Sequence, residues 1–189
     1  MTDIFKLPEA LIAPIDDGAT AHLVGMQLPA LTLIATDNSR INLAELTGSV
    51  VIYVYPMTGQ PGIPLPNGWD QIPGARGCTP QSCAFRDQYN ELQALNVNVF
   101  GLSSQTTEYQ LEARDRLHLP FQLLSDHAMQ LKDKLALPTF NIAGLTLYKR
   151  LTMVIENRQI TKVFYPVFPP DQNAEHVMTW LKAHQSAIK

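Results

Sequence analysis

Cysteine is nearly absent from this chain: Cys78 and Cys83 are its two copies among 189 residues. So few cysteines exclude a disulfide-rich scaffold, and in a reducing compartment a close pair is more often catalytic or metal-binding than structural. Charge is also scarce, at 16% of residues with a net charge of −3, so a basic surface for nucleic acid or anionic membranes is not expected. A small neutral molecule or a protein fits better as a partner.

The N-terminus lacks the pattern of a targeting segment. Residues 1–13 contain one lysine and no sustained apolar run, so we expect neither a secretory signal nor a membrane span. The composition, 46% hydrophobic, is typical of an ordered chain, and 189 residues fit one α/β domain. We therefore expect a cytoplasmic protein with a single globular core.

Strand and helix patterns alternate along the chain. The continuous β-branched and aromatic run from Val50 to Tyr55 predicts a strand covered on both faces at the centre of a sheet. Phe85, Tyr89, Leu92 and Leu95 recur at helical spacing and predict a helix after the cysteines. Further strands are predicted over 97–102 and 119–124, helices after residue 104 and over 129–135, a hairpin from 151–155 to 160–164, and a closing helix over 173–184. This order predicts the α/β class with a mixed sheet flanked by helices.

Residues 57–77 interrupt this pattern. These 21 residues hold four prolines and five glycines, so no regular element is expected there. Loops longer than about 12–15 residues are uncommon without a role, although a tolerated surface insertion is the alternative. Trp69 in this loop is expected either to cover a pocket or to bury itself at a subunit contact.

The cysteine pair indicates thiol redox chemistry. Cys78 opens the predicted helix with Arg76 and Arg86 nearby in sequence, and both a helix N-terminus and neighbouring cations favour the thiolate. A thiolate that attacks a peroxide becomes a sulfenic acid, which a neighbouring thiol such as Cys83 can condense with. On an ideal helix, Cα atoms five residues apart are roughly 8–9 Å apart. An undistorted disulfide allows about 7 Å, so the start of the helix would have to unwind.

Other roles for the cysteines stay open at this point. Either cysteine could be a small buried apolar residue. A zinc site needs four ligands, and the five histidines show no ligand spacing near the pair. A thioredoxin-type exchanger normally carries Cys-x-x-Cys, whereas four residues separate Cys78 from Cys83.

Several motifs together resemble the peroxiredoxin family of the alkyl hydroperoxide reductase/thiol-specific antioxidant type. They are the strand ending in Tyr55-Pro56, Gly77-Cys78-Thr79 with Cys83, Phe85-Arg86-Asp87, and Leu123-Leu124-Ser125-Asp126. The cysteine spacing resembles the bacterioferritin-comigratory, or Q-type, branch, here with an insertion before the first cysteine. The resemblance runs from about Gly25, in a Gly-x-x-x-Pro opening, to Leu181. It implies a thioredoxin-like domain over residues 25–189 after an extension over residues 1–24.

The resemblance also implies roles for particular residues. Cys78 corresponds to the peroxidatic cysteine, Cys83 to a resolving cysteine, and Arg150 to an arginine that holds the peroxide and stabilises the thiolate. For Arg150 the alternative is a solvated cation at a strand end. Gln81 is expected either to brace the loop or to be an ordinary surface residue.

One departure from the family pattern concerns a threonine hydroxyl that hydrogen-bonds the peroxide. The family has this threonine three residues before the cysteine, where this chain has Ala75. Thr58, at the end of the preceding strand, is the candidate that would supply the hydroxyl in its place, because the long insertion could fall inside the motif.

These expectations describe a peroxidase that needs no metal or organic cofactor. It would reduce hydrogen peroxide or alkyl hydroperoxides through a Cys78–Cys83 disulfide, recycled by thioredoxin or a similar dithiol, as a monomer or weak homodimer. The rival reading is a redox-sensing protein on the same fold, in which the cysteine pair is a switch without efficient turnover. An assay can distinguish the two functions. A peroxidase consumes peroxide repeatedly when a dithiol is supplied, whereas a sensor stops after about one equivalent.

Overall fold

The strand predicted over residues 50–55 lies inside a seven-stranded mixed sheet of the computed structural model, which describes Leu7 and residues 11–187, with side chains to His184. The strands are β1 (Thr32–Ala35), β2 (Arg40–Asn42), β3 (Ser49–Val54), β4 (Val97–Ser103), β5 (Gln122–Ser125), β6 (Thr139–Ile142), β7 (Leu145–Tyr148), β8 (Leu151–Glu156) and β9 (Gln159–Phe164). The helices are α1 (Cys78–Asp87), α2 (Tyr89–Ala94), α3 (Thr107–Arg116), α4 (Gln130–Leu135) and α5 (Asn173–Ala187).

The sheet order is β2-β1-β5-β4-β3-β8-β9. Strands β3, β4 and β5 are parallel neighbours, while β8 joins β3 antiparallel and pairs with β9 in the predicted hairpin. The α/β class with a mixed sheet is therefore confirmed. Strand β3 lies between β4 and β8, so the residue that follows it and the residue that precedes β8 meet at the same end of the sheet.

The two faces of β3 explain its unbroken apolar run. Val50, Ile52 and Val54 pack into one buried cluster, whereas Val51 and Tyr53 pack into a second cluster on the other face. Successive side chains of a strand point to opposite faces, so both sets must be apolar when both faces are covered. The second cluster includes Cys78 and Phe85 of α1 and several residues of α5, so the cysteine-bearing helix is packed against this face of the sheet.

Three features differ from the expected pattern. The helix after the cysteines is interrupted at Gln88, which ends α1 and precedes α2. Strand β5 begins at Gln122 rather than at residue 119, because His118 adopts a positive φ of 52° and the chain is still turning. The pairs β1–β2 and β6–β7 were not predicted, since each strand has only three or four residues and carries little periodic signal.

The loop over residues 57–77 contains one short 3₁₀ turn, Trp69–Gln71. Trp69 is 3% exposed and forms a small cluster with Ala75 and with Leu147 of β7, and its ring lies 6.2 Å from that of Phe140 on β6. The loop is thus folded back on the β6–β7 hairpin. Of the predicted extension over residues 1–24, residues 1–6 and 8–10 lie outside the described residues. Across the part of the chain that the structure describes, no helix has the length and apolar character to cross a bilayer.

Candidate active site

Cys78 is the first residue of α1, a ten-residue helix. Gly77 caps the helix with φ 106°, a conformation that suits glycine, and a Cβ there would lie 2.3 Å from Cγ of Pro170. Gly77 has no side chain to cap the helix, so the first backbone N–H groups can act on the sulfur and on a molecule that approaches it. The sequence prediction that Cys78 opens a helix is confirmed.

Arg150 directly precedes β8 and reaches Cys78 across the end of the sheet. Its Nη2 lies 3.2 Å from Sγ of Cys78, and the residue is 3% exposed. The reading of Arg150 as a solvated strand-end cation is therefore wrong. Among the described residues no carboxylate forms an ion pair with Arg150. A buried guanidinium without a carboxylate stabilises negative charge on the sulfur beside it.

The same guanidinium fastens the loop before the cysteine. Arg150 donates from Nε to the carbonyl oxygen of Gly74 at 3.3 Å, and from Nη2 to those of Ala75 and Arg76 at 3.1 and 3.2 Å. Since these carbonyls belong to the three residues before Gly77, one side chain sets both the shape of the loop and the position of the sulfur.

Gln81 holds Arg150 from the helix side. It is fully buried, accepts a hydrogen bond from Nη1 of Arg150, and donates from Nε2 to Oδ1 of Asn173 at 2.9 Å. Asn173 also accepts from the hydroxyl of Thr152 at 2.7 Å. The alternative of Gln81 as a surface residue is wrong. Sequence reasoning missed Asn173 and Thr152. Thr152 is the one polar residue in the apolar first five residues of β8, whereas Asn173 lies among polar residues and has no local signal.

A cavity of about 20 Å³ lies at Cys78. It is lined by Met57, Gly59, Leu65, Trp69, Arg76, Gly77, Cys78 and Thr79. A space of this size is just sufficient for one water-sized molecule. Trp69 is buried within its own chain and lines this cavity. Of the two roles expected for Trp69, this placement matches covering a pocket.

Thr58 does not line that cavity. It is 1% exposed, and its hydroxyl donates to Oε1 of Gln105 at 3.1 Å, while its backbone N–H donates to the same oxygen at 2.9 Å. The Gln105 amide in turn donates to the carbonyl of Thr58 at 3.3 Å. Three bonds thus tie Thr58 to Gln105, and its role as the peroxide-binding hydroxyl stays a prediction.

Cys83 is a free thiol in the second turn of the same helix. It is half-buried, and burial raises the pKa of its thiol, with the cation of Arg86 opposing the shift. Cys78 is likewise free, so the structure is that of the reduced protein. The described residues contain no group of three or more histidine, cysteine, aspartate or glutamate side chains that could hold a metal ion.

A family model described as Redoxin matches residues 23–178, which is most of the chain and includes every site residue above. The chain belongs to the Redoxin family. Its relatives place it among the peroxiredoxins of the Q, or bacterioferritin-comigratory, branch, as the sequence motifs indicated.

Two curated relatives illustrate this similarity to Redoxin-family proteins. The chain is 35% identical over 114 residues to peroxiredoxin bcp1 of Schizosaccharomyces pombe, a match that covers 59% of this chain and 51% of that protein. It is 27% identical over 161 residues to the chloroplastic peroxiredoxin Q of Suaeda salsa, covering 84% of this chain and 67% of that protein. The chain thus spans about half of the first relative and about two thirds of the second.

A solved structure supports the fold. The peroxidoxin BcpB of Mycobacterium tuberculosis superimposes with a TM-score of 0.68 at 22% identity, covering 85% of this chain and 96% of that one. The thioredoxin-like fold implied by the sequence resemblance is confirmed by this match.

Proposed function

We propose that this Redoxin-family chain is a thiol-dependent peroxidase that reduces hydrogen peroxide and organic hydroperoxides through Cys78. The observation that carries the proposal is the placement of Cys78 Sγ at a helix start, 3.2 Å from a buried guanidinium and beside a small cavity. A thiolate is the nucleophile required, and a cation and free N–H groups stabilise both it and the charge that moves onto the leaving oxygen.

The first step is attack of the Cys78 thiolate on one oxygen of the peroxide. The S–O bond forms as the O–O bond breaks, the leaving oxygen takes a proton as water or alcohol, and Cys78 becomes a sulfenic acid. Negative charge moves from the sulfur to the leaving oxygen in this step. Arg150 can stabilise it throughout, since its planar guanidinium can contact both the sulfur and the peroxide oxygen. The sulfur is oxidised by two electrons, and the peroxide is reduced by two.

The second step is condensation of the sulfenic acid with the thiol of Cys83, which forms a disulfide and releases water. Both cysteines lie in α1, five residues apart, so the first turns of this helix must open before the sulfurs can bond. A dithiol such as thioredoxin then returns two electrons and two protons by disulfide exchange. The dithiol reductant, a cytoplasmic location and a monomeric or weakly dimeric state stay predictions.

Stopped-flow oxidation of the reduced protein by hydrogen peroxide tests this mechanism, with thioredoxin present for turnover. The wild type should consume many equivalents, Cys78→Ser none, and Cys83→Ser about one before it stalls as a sulfenic acid that a dimedone probe traps. Turnover by Cys78→Ser would disprove the assignment of the nucleophile, and undiminished turnover by Cys83→Ser would disprove its role as the resolving thiol.

A redox sensor is the second candidate function, and one observation favours it. The side chain three residues before Cys78 is the methyl group of Ala75, which can donate no hydrogen bond to a peroxide. If no other group replaces that donor, peroxide oxidises Cys78 slowly. The two cysteines would then suit a redox switch better than a peroxidase. A wild type that forms the Cys78–Cys83 disulfide once, yet does not turn over with a dithiol, would support the sensor.

A further inference from the structure

The cavity at Cys78 has a hydrogen-bond donor that the sequence motifs do not assign. Arg76 is the one cation among the described residues that line this cavity. Its side chain is 11% exposed, so most of it is held within the fold. It directly follows Ala75, the position that lacks the hydroxyl, and therefore reaches the same small space from the same loop.

Asp70 fixes the orientation of Arg76. Nη2 of Arg76 donates to Oδ2 of Asp70 at 2.8 Å, and Nε lies 2.7 Å from Oδ1. The carboxylate thus faces the Nε and Nη2 side of the guanidinium. Nη1 of Arg76 has no hydrogen-bond acceptor among the described residues, so the guanidinium is positioned by Asp70 and keeps donors for a ligand.

The long loop supplies this arrangement. Asp70 lies in the 3₁₀ turn beside the buried Trp69, and successive backbone bonds run from Ile72 N to the Trp69 carbonyl at 3.2 Å and from Ala75 N to the Ile72 carbonyl at 3.1 Å. These hydrogen-bonded turns run from Trp69 to Ala75, three residues before Cys78. Trp69 anchors the turn, and the turn presents Asp70 to Arg76.

We propose that Arg76 is a second peroxide-binding residue, positioned by Asp70, which supplies the donor that Ala75 lacks. The inference rests on the proposed peroxidase function and concerns the same cavity. As the O–O bond breaks, Arg76 donates a hydrogen bond to the oxygen that gains charge, in addition to the contact from Arg150, whose guanidinium also stays beside the sulfur. A fixed donor aimed at a developing oxyanion commonly contributes about 100-fold or more to a rate.

The test compares the second-order rate constant for oxidation of Cys78 by hydrogen peroxide in the reduced wild type and in variants. Arg76→Met keeps the aliphatic bulk and removes the donors, and the rate constant is expected to fall about 100-fold. Arg76→Lys should restore part of the rate, and Asp70→Asn should lower it less than Arg76→Met does. Arg114→Met is the matched control, since Arg114 pairs with Asp115 on α3 and lies outside the cavity.

Chemical rescue separates a direct contact from a structural one. In Arg76→Ala, added guanidinium ion at a concentration that leaves the thermal unfolding midpoint unchanged should recover part of the lost rate. An Arg76→Met rate equal to that of the control would overturn the proposal. So would a large loss in Thr58→Val or Thr79→Val without one in Arg76→Met, because another hydroxyl would then be the donor. A wild type that peroxide does not oxidise at Cys78 would instead contradict the peroxidase function itself.

Discussion

Gln81 is the residue through which the fold holds Arg150 on the sulfur, and its replacement gives a quantitative prediction. Gln81→Met keeps the length of the side chain but removes both of its hydrogen bonds. One bond comes from the Arg150 guanidinium and the other goes to Asn173, and Gln81 is fully buried. The variant therefore leaves a buried charged donor without its acceptor.

The expected cost follows from the two bonds. A hydrogen bond to a charged group contributes about 1.5–3 kcal/mol and a neutral one about 1 kcal/mol. Asn173 keeps its bond from Thr152, which limits the second loss. We expect Gln81→Met to lower the free energy of unfolding by about 3 kcal/mol. That is a large share of the roughly 5–15 kcal/mol typical of folded proteins.

Urea unfolding of the reduced protein measures this cost, with Thr152→Val as the control. Thr152 is also fully buried, and its replacement removes a neutral hydrogen bond to Asn173 without touching Arg150. The control should lose about 1 kcal/mol. Gln81→Met should also oxidise more slowly with peroxide, by about tenfold if Arg150 is displaced. An equal stability loss in the two variants, or an unchanged oxidation rate in Gln81→Met, would refute the view that Gln81 positions Arg150.

Three further predictions concern the cavity wall, the second thiol and the ion pair of Asp17 with Lys149. Trp69→Ala should enlarge the cavity, cost about 3–5 kcal/mol of stability, and raise the rate with cumene hydroperoxide relative to hydrogen peroxide; an unchanged ratio would contradict a limiting role for this wall. Because burial raises the pKa of Cys83, little of this thiol is ionised at neutral pH. Formation of the disulfide after oxidation of Cys78 should therefore become faster as the pH rises towards that pKa. A pH-independent rate in stopped-flow fluorescence would argue against attack by the Cys83 thiolate. Hydrogen bonds from Lys149 and Tyr165 lower the pKa of Asp17 from 3.8 to about 2. The contribution of this carboxylate to stability is therefore present above pH 3.8 and is lost as the pH falls towards 2. Asp17→Asn should make the melting temperature depend less on pH between these two values.

Much of the fold could be predicted because its signals are local. The run Val50–Tyr55 alternates between two buried faces, and its short length, its β-branched and aromatic side chains and the turn-rich loop after it favour a strand over a helix. The hairpin β8–β9 and the helix α5 were predicted to within a few residues for the same reason. The short pairs β1–β2 and β6–β7 were missed because three or four residues do not establish a period. Ala143 and Gly144 form the turn between β6 and β7 with φ of 49° and 78°, and Gly144 is the part of this turn that the sequence could have indicated.

The candidate site also combines local features, which the sequence shows, with contacts that only the fold creates. A cysteine after glycine at a helix start and a second cysteine five residues later are local features, and they indicated thiol redox chemistry without any coordinates. The placement of Arg150 depended on a family pattern, since nothing local brings residue 150 to residue 78. The sheet brings them together, because β8 pairs with β3 and begins beside the start of α1.

The sequence alone therefore determined the fold class and indicated the candidate nucleophile and the class of chemistry, because periodicity and motif spacing are carried by neighbouring residues. Only the tertiary structure decided which groups surround the sulfur. Gln81 contacts Arg150 and Asn173, Thr58 is tied to Gln105, and no spacing in the chain encodes these contacts between distant residues. Packing of α1 against the sheet creates the contacts of Gln81, and the parallel pairing of β3 with β4 brings Thr58 to Gln105. The long loop then places Trp69 against the β6–β7 hairpin.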